Sequence, residues 1–336
     1  NAMTDPADPQ GSIRTRTRLP APSWYVAVLI LAFFAAFALH MRFNGILACP
    51  AAYDEAHYLG HCQATAYGDY DHGAFWFGSE PEIRDAARSA DVLFLGNSRL
   101  QFGFSAPALG EWFRHAGSSY YLLGFSHTEN ITFVAPLLRE LQPRARVYVI
   151  NTDDFFTDWT TGPAADVMNG ADTRGRYRTK RTWQNAHRAL CTSIPSLCGN
   201  MMAFYRHRET GEWLFLGEPE EPPSGIEGEE PLEPERVEDM RARAETFLAG
   251  LDAPRECVLL TYVPSRHPER GNMQALADAL HMPLYSPQLA GLTTVDSSHL
   301  DRASANRFVA AFLQEAEPQL RACLALEPNI TPAARP

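Results

Sequence analysis

The chain has 336 residues, of which 45 % are hydrophobic and 11 % aromatic, so it can bury a substantial core and is not a wholly disordered polymer. Its formal net charge of −11 argues against a nucleic-acid partner, because phosphate binding draws most of its affinity from Lys and Arg. The length predicts one large or two modest domains.

An apolar segment near the N-terminus predicts a membrane anchor. Residues 24–41 (WYVAVLILAFFAAFALHM) contain no Lys, Arg, Asp or Glu and approach the length that crosses a hydrocarbon core of roughly 30 Å. Arg14, Arg16 and Arg18 precede the segment, so we expect a cytoplasmic N-terminus and export of everything after Arg42. A cleavable signal peptide is the alternative, but we find no convincing small-x-small cleavage site before Arg42. We therefore expect a single-pass protein of the cytoplasmic (inner) membrane with a periplasmic or otherwise extracytoplasmic domain.

The cysteine content fits an oxidising compartment. The six cysteines are Cys49, Cys62, Cys191, Cys198, Cys257 and Cys323. Proximity in the sequence pairs Cys49 with Cys62 and Cys191 with Cys198. This leaves Cys257 with Cys323 by elimination. Reduced, buried thiols are the alternative. A zinc site at His57, His61 and Cys62 is disfavoured because no second ligand cluster completes it.

Two segments have a strongly biased charge. Residues 218–239 are acidic and Pro-rich, which predicts a solvated linker or a mobile insertion. Residues 174–181 (RGRYRTKR) are basic, and they form either a solvated face or a contact with anionic lipid or polysaccharide.

Apolar runs alternate with helical patterns from Ala90 onward. We predict strands at residues 91–95, 120–123, 146–150, 257–263 and 283–285. We predict helices at residues 106–114, 128–141, 234–251, 268–280 and 302–320. This alternation predicts an α/β fold, in which a parallel sheet is covered by helices on both faces. In such sheets, ligands bind beyond the carboxyl ends of the strands.

The chain therefore divides into five predicted segments. They are a cytoplasmic tail at 1–23 with a cloning scar at Asn1-Ala2, the anchor at 24–41, an irregular stalk and lead-in at 42–89, a main domain at 90–325 with an insertion at about 155–231, and a tail at 326–336.

Two motifs at opposite ends of the main domain predict a catalytic triad. Ser98 follows the first sheet strand in FLGNSR (Phe94–Arg99), where Gly96 permits a tight turn. A serine hydroxyl needs a histidine base that is oriented by a third group. Asp296 and His299, in VDSSHL before the last helix, are spaced to meet within one turn. A simple turn and a capped helix with an exposed histidine are the alternatives, but the joint occurrence of the two motifs favours the triad.

The two motifs resemble those of the SGNH (GDSL-like) hydrolase superfamily. There, the nucleophilic serine follows the first strand, and an Asp-x-x-His lies just before the last helix. Gly124, in LLGF, fits the second block, whose glycine amide helps to bind the oxyanion. The resemblance covers about residues 90–322, interrupted by the insertion. It implies a flavodoxin-like three-layer α/β/α fold, with Ser98 as nucleophile, His299 as general base and Asp296 orienting the base.

The third block departs from the family pattern. The family usually has GxND after the third strand, whereas this chain has Asn151-Thr-Asp-Asp154, so Asp153 matches the asparagine. An ionised carboxylate only accepts hydrogen bonds and would repel an oxyanion. Asn151 is then the side-chain candidate, or else the backbone amides of Ser98 and Gly124 act alone. A plain strand-to-loop turn is the alternative reading of Asp153-Asp154.

The resemblance implies a membrane-anchored, exported, serine-dependent O-acyltransferase, expected to transfer an acetyl group to a cell-envelope or extracellular polysaccharide. The altered third block fits relatives similar to alginate-acetylation or teichoic-acid D-alanylation proteins. A carbohydrate esterase with the same triad and a non-catalytic polysaccharide-binding or assembly subunit are alternatives. The expected partners are the polysaccharide, or another acyl-ester substrate, and a polytopic membrane protein that exports the acyl group. We expect no cofactor and no metal.

Overall fold

A long apolar helix begins the described part of the chain. The computed structural model describes residues 22–45, 47–50, 54–62, 70–170, 172–216 and 223–326. Helix α1 (Pro22–Asn44) is exposed over residues 23–40. Its segment Ser23–Phe43 is long and apolar enough to cross a membrane, since its 21 residues rise about 32 Å. The predicted apolar helix is therefore confirmed, and it extends slightly beyond both ends of residues 24–41.

We had predicted an irregular stalk at residues 42–89, but the described residues of this segment include regular structure. They contain β1 (Tyr58–Cys62), α2 (Tyr70–Trp76) and α3 (Pro81–Ser89). The side chains of Phe75 and Ile83 are fully buried in the same apolar cluster as the main sheet. The prediction failed because the aromatic residues of this segment follow no regular period, although several of them are core residues.

The remaining chain alternates helices and strands. The helices are α4 (Ser98–Phe104), α5 (Pro107–Ala116), α6 (Ile131–Leu141), α7 (Gly162–Met168), α8 (Thr173–Ser193), α9 (Pro234–Ala249), α10 (Arg270–Ala279) and α11 (Arg302–Ala325), with short 3-10 helices at Pro195–Leu197 and Arg255–Cys257. The strands are β2 (Val92–Asn97), β3 (Tyr120–Phe125), β4 (Val147–Asn151), β5 (Ala203–His207), β6 (Trp213–Leu216), β7 (Ser224–Gly225), β8 (Val258–Thr261), β9 (Leu284–Tyr285) and β10 (Thr293–Thr294).

The central sheet is parallel and has five strands in the order β3-β2-β4-β8-β9. Every residue of β2, β3 and β4 is buried, as expected for strands that are covered on both faces. One apolar layer includes side chains of α3, α6 and α9, and the other includes side chains of α5 and α11. The predicted α/β class with a parallel sheet is confirmed.

The order of the strands creates a crevice at the carboxyl end of β2. The chain runs from β2 to β3 on one side and then crosses to β4 on the other side of β2. Ligands of open parallel sheets bind at such a reversal of strand order. Ser98 directly follows β2 and therefore lies at this point.

The described part of the insertion is folded and, together with β1 from the preceding segment, forms a second, smaller sheet. Strands β1, β5 and β6 pair in an antiparallel arrangement. Phe204 and Trp213 of this sheet are buried in one cluster with Phe102 of α4. The insertion therefore packs against the helix that begins at Ser98.

The acidic stretch is not a free linker over its described part. Strand β7 pairs with β10, and the backbone N–H of Glu227 donates to the carbonyl of Arg266 over 2.7 Å. The N–H of Glu230 donates to the carbonyl of Pro268, and residues 234–249 form α9. Residues 223–239 are largely exposed, as a solvated segment would be, but they are not a free linker, because backbone pairing, which charge composition does not report, holds them on the domain. Residues 217–222 lie outside the described residues.

Two of the three predicted disulfides are confirmed. They join Cys191 with Cys198 and Cys257 with Cys323. The third predicted pair, Cys49 with Cys62, involves a side chain at Cys62 that lies outside the described residues.

The end of α1 is bound directly to the folded domain. Arg42, in the last turn of α1, donates from Nη1 to the carbonyl oxygen of Ser196 over 2.7 Å. The N–H of Gly199 donates to the carbonyl of Leu47 over 2.7 Å. A Cβ at Gly199 would collide with the carbonyl oxygen of Ala48, so this close backbone approach requires glycine.

Candidate active site

Ser98 is the first residue of a short helix that turns back on β2. The side-chain Oδ1 of Asn97, the last residue of β2, accepts a hydrogen bond from the N–H of Arg99 over 2.9 Å and caps the helix. A Cβ at Gly96 would lie 3.0 Å from the Cβ of Asn151, tighter than most real contacts. Gly96 is not among the residues with positive φ. Its role here is therefore to allow close packing rather than an unusual backbone conformation.

The structure brings Ser98, His299 and Asp296 into one hydrogen-bonded chain. His299 Nδ1 lies 2.7 Å from Asp296 Oδ2, and His299 Nε2 lies 2.8 Å from Ser98 Oγ. Because an ionised carboxylate can only accept, Nδ1 carries the proton and donates to Asp296. Nε2 is then free to accept the hydroxyl proton of Ser98. This is the geometry in which a serine is activated by a histidine base.

Asp296 is suited to hold a charged imidazole. Burial raises the pKa of its carboxyl group, but hydrogen bonds and the charge of His299 lower it by more, so the pKa lies below its usual value. The other oxygen, Oδ1, accepts from the backbone N–H groups of Ser298 and His299 over 3.1 and 2.9 Å. An ionised Asp296 therefore both fixes the tautomer of His299 and stabilises its protonated form.

Aromatic rings support the imidazole from one side. The ring of Phe102 stacks on His299 with centroids 4.2 Å apart, and Phe215 of β6 stacks on Phe102 at 4.0 Å. This contact restricts the orientation of His299 toward Ser98. Sequence reasoning missed Phe102, although it lies one helical turn after Ser98.

Asp153, which we expected to repel an oxyanion, is held by a cation and an amide. Arg99 Nη1 lies 2.5 Å from Asp153 Oδ1, and Asn97 Nδ2 donates to Asp153 Oδ2 over 2.9 Å. Burial raises the pKa of the Asp153 carboxyl group, and the charge of Arg99 opposes this rise. Arg99 Nε also donates to Ser298 Oγ over 3.1 Å. Arg99 thus links the loop after β4 to the loop that carries His299, a role that its place beside Ser98 in the sequence did not reveal.

The structure does not present Asn151 to a substrate. Its side chain is fully buried, and Oδ1 accepts from the N–H of Val263 over 3.0 Å. Nδ2 is buried without a partner among the described residues. The role of Asn151 as a donor to an oxyanion therefore stays a prediction, and the burial of its side chain does not favour it.

Gly124, the other predicted oxyanion residue, lies beside the start of α4. It is opposite Gly96 in the ladder between β2 and β3. A Cβ at Gly124 would lie 2.7 Å from the carbonyl oxygen of Asn97, so the absence of a side chain lets the two backbones approach. The backbone of Gly124 is therefore next to the residue that precedes Ser98.

One group of potential metal ligands is chemically unsuited to a metal. Ligand atoms of His187, Cys191 and Cys198 lie within 4.8 Å of one another. The two sulfur atoms are bonded to each other, and a disulfide sulfur is not the thiolate that binds a metal. The zinc alternative at His61 and Cys62 involves side chains outside the described residues.

Comparisons of the chain with protein-family models, curated proteins and solved structures find no match.

Proposed function

We propose that the chain is a membrane-anchored serine acyltransferase that acts on a cell-envelope or extracellular polysaccharide. The hydrogen-bonded chain from Ser98 through His299 to Asp296 is the observation that carries this proposal. The central strands, counted along the chain, lie in the order 2-1-3-4-5, which is the flavodoxin-like order. This order, with Ser98 at its reversal point, supports the resemblance to the SGNH superfamily.

The reaction would begin with attack of Ser98 on an acyl ester. His299 Nε2 takes the hydroxyl proton while Oγ forms a bond to the acyl carbon, which produces a tetrahedral oxyanion. When the intermediate collapses, His299 returns the proton to the leaving oxygen, and the acyl group remains on Ser98. In the second half, His299 deprotonates a sugar hydroxyl, whose oxygen attacks the acyl carbon. The bond from that carbon to Ser98 Oγ then breaks, and His299 returns the proton to Oγ. Attack by water in the same step would make the protein an esterase.

The membrane topology is part of the proposal. Helix α1 is long and apolar enough to span a bilayer, and three arginines precede it in the sequence, at positions 14, 16 and 18. These arginines favour a cytoplasmic N-terminus. The two disulfides fit an oxidising, extracytoplasmic compartment.

The anchor favours transfer over hydrolysis. An enzyme fixed in the membrane beside a polytopic protein that exports acyl groups receives its donor at high effective concentration. Direct packing of the domain on the end of α1, through Arg42 and Gly199, would keep the site close to such a partner.

Labelling with a serine-reactive fluorophosphonate tests the catalytic role. We expect the wild-type protein to label and the Ser98→Ala and His299→Gln variants to lose labelling. Equal labelling of wild type and Ser98→Ala would overturn the enzyme and favour a binding or assembly subunit. Mass analysis of envelope polysaccharide from a Ser98→Ala strain then identifies the acyl group: loss of ester groups indicates transfer, and their accumulation indicates an esterase.

A further inference from the structure

We propose that Arg99 donates a charged hydrogen bond to the oxyanion, in place of the side-chain amide that the altered third block lacks, and that Asp153 positions it. This inference rests on the proposed acyl-transfer function. The third block offers no accessible side-chain donor to the oxyanion, because Asn151 is buried and an ionised Asp153 can only accept hydrogen bonds.

Two contacts fix the plane of the Arg99 guanidinium. Nη1 pairs with Asp153 Oδ1 at 2.5 Å, and Nε donates to Ser298 Oγ over 3.1 Å. A guanidinium is planar and rigid, so two bonded nitrogen atoms determine where the third one points. Ser298 directly precedes His299, and Arg99 directly follows Ser98. The guanidinium therefore bridges the two loops that carry the nucleophile and the base.

The third nitrogen atom, Nη2, has no hydrogen-bond partner among the described residues. In a guanidinium, Nε and Nη2 share one edge of the plane, so Nη2 faces the same side as Ser298. The Arg99 side chain is 20 % exposed, whereas Asn151 is fully buried. A donor is thus available to a bound substrate at Arg99 and not at Asn151.

The surroundings keep Arg99 charged. Burial lowers the pKa of its guanidinium, but the neighbouring Asp153 and other acidic groups raise it by more, so the pKa lies above its usual value. A charged donor stabilises an oxyanion more strongly than it stabilises the neutral carbonyl of the substrate. The contribution of Arg99 is therefore expected to appear in kcat rather than in KM.

Asp153 and Asn97 hold the charged guanidinium of Arg99 in place. Asp153 is 1 % exposed, and its second oxygen is occupied by Asn97 Nδ2 at 2.9 Å. The carboxylate cannot turn toward solvent without losing both partners. It therefore serves as a fixed counter-charge behind Arg99 and not as a group that faces the substrate.

The test compares four variants with the wild type: Arg99→Gln, Arg99→Lys, Asp153→Asn and the double variant Arg99→Gln/Asp153→Asn. The matched control is Arg236→Gln, because Arg236 forms the adjacent ion pair with Asp154 at 2.6 Å. The readouts are kcat and KM for p-nitrophenyl acetate, the inhibition constant of phenylboronic acid, whose serine adduct carries a tetrahedral oxyanion, and the melting temperature.

We expect Arg99→Gln to lower kcat by on the order of 10²-fold and to weaken phenylboronic acid by a similar factor, with KM nearly unchanged. Arg99→Lys is expected to retain part of the activity, since it keeps the charge but not the planar fork. The double variant also lacks the cation, and because residue 153 is buried and does not face the substrate, we expect it to be no more active than Arg99→Gln. Arg236→Gln is expected to stay within about twofold of wild type, because its closest ion-pair partners are Asp154 and Glu269 and not a residue of the triad.

The inference is overturned if Arg99→Gln lowers kcat by less than about threefold, or if its melting temperature falls while the inhibition constant of phenylboronic acid is unchanged. Both results are separable from failure of the proposed function. If wild-type protein shows no activity and no labelling that depends on Ser98, the acyl-transfer proposal itself fails.

Discussion

Ser98 Oγ and His299 Nε2 are 2.8 Å apart, although their residues are separated by 201 positions in the sequence. The first lies at the carboxyl end of β2, and the second lies in the loop between β10 and α11. Both ends of the α/β array therefore meet at the reversal of strand order. Asp296 hydrogen-bonds to His299, and Phe102 stacks on its ring. Arg99 hydrogen-bonds to Ser298, the residue before His299.

Replacement of Asp296 by Asn should lower kcat by on the order of 10³-fold or more, because the amide favours the wrong tautomer of His299 and removes the charge that stabilises the imidazolium. The measurement is the hydrolysis of p-nitrophenyl acetate. Asp301→Asn is the matched control, since Asp301 caps α11 through the N–H of Ser304, and its side chain shows hydrogen bonds to residues 293 and 304 but none to His299 among the described residues. Asn caps helices about as well as Asp, so the control should keep its activity and stability. Equal loss in both variants would contradict an orienting role for Asp296.

Replacement of Phe102 by Leu should lower kcat by about tenfold while KM changes little, because the imidazole loses the ring that restricts its orientation. Leu keeps much of the apolar volume, whereas Ala would cost about 3–5 kcal/mol of stability and confuse the result. Phe104→Leu is the matched control: Phe104 lies in the same helix, is fully buried, and packs on Phe94 and Phe308. If both variants lose activity in proportion to their melting temperatures, stacking on His299 has no special role.

The sequence was most informative where short-range patterns determine structure. The apolar runs at residues 91–95, 120–123 and 146–150 each correspond to a buried strand of the central sheet. Each run is continuously apolar and bounded by turn residues, which is typical of a strand that is covered on both faces. The runs therefore predict the α/β class. The positions of Ser98, Asp296 and His299 at the two ends of this array predicted the triad.

The sequence was least informative where function depends on long-range contacts. Phe102 and Phe215 stack at 4.0 Å, but no local pattern reveals that β6 pairs with β5 and that β5 pairs with β1. Arg99 appeared only as part of a motif, because its partner Asp153 follows a different strand. The buried helices of residues 70–89 were missed because their aromatic residues have no regular spacing. Tertiary packing decided each of these features.

Acidification should destabilise the region around His187. Burial lowers the pKa of this histidine in the folded state, whereas an unfolded histidine has a pKa of about 6.5. Below the unfolded value, the unfolded chain binds more protons than the folded one, so stability falls as the pH decreases. Melting temperatures measured at pH 7.5 and 5.5 should differ less for His187→Gln than for wild type. The control is His115→Gln, which is exposed on α5 and should behave as wild type. The same pH effect in all three proteins would contradict this assignment.

Ile194 should contact lipid in the membrane-bound protein. It is 48 % exposed and lies two residues before Ser196, whose carbonyl accepts from Arg42 at the end of α1. We suggest labelling Ile194→Cys with an environment-sensitive NBD dye in proteoliposomes. Lipids with a doxyl group near the headgroup should quench the dye. Leu232→Cys is the matched control, because Leu232 is 56 % exposed and lies on the segment before α9. Equal quenching at the two positions would show that the domain does not rest on the bilayer beside α1.

The two described disulfides should differ in their contribution to stability. Cys257 and Cys323 are 66 positions apart, whereas Cys191 and Cys198 are 7 apart. In the chain-entropy treatment, the longer loop stabilises the fold by about 4 kcal/mol and the shorter one by about 2.5 kcal/mol. The paired substitutions Cys257→Ala/Cys323→Ala should therefore lower the free energy of unfolding more than Cys191→Ala/Cys198→Ala, as measured by denaturant titration in detergent. The shorter loop fixes the end of α8 beside residues 47–49, so its loss should loosen this region locally and leave the hydrolysis of p-nitrophenyl acetate unchanged. A larger loss of stability from the shorter loop would mean that packing at the end of α1, and not loop closure, dominates the effect.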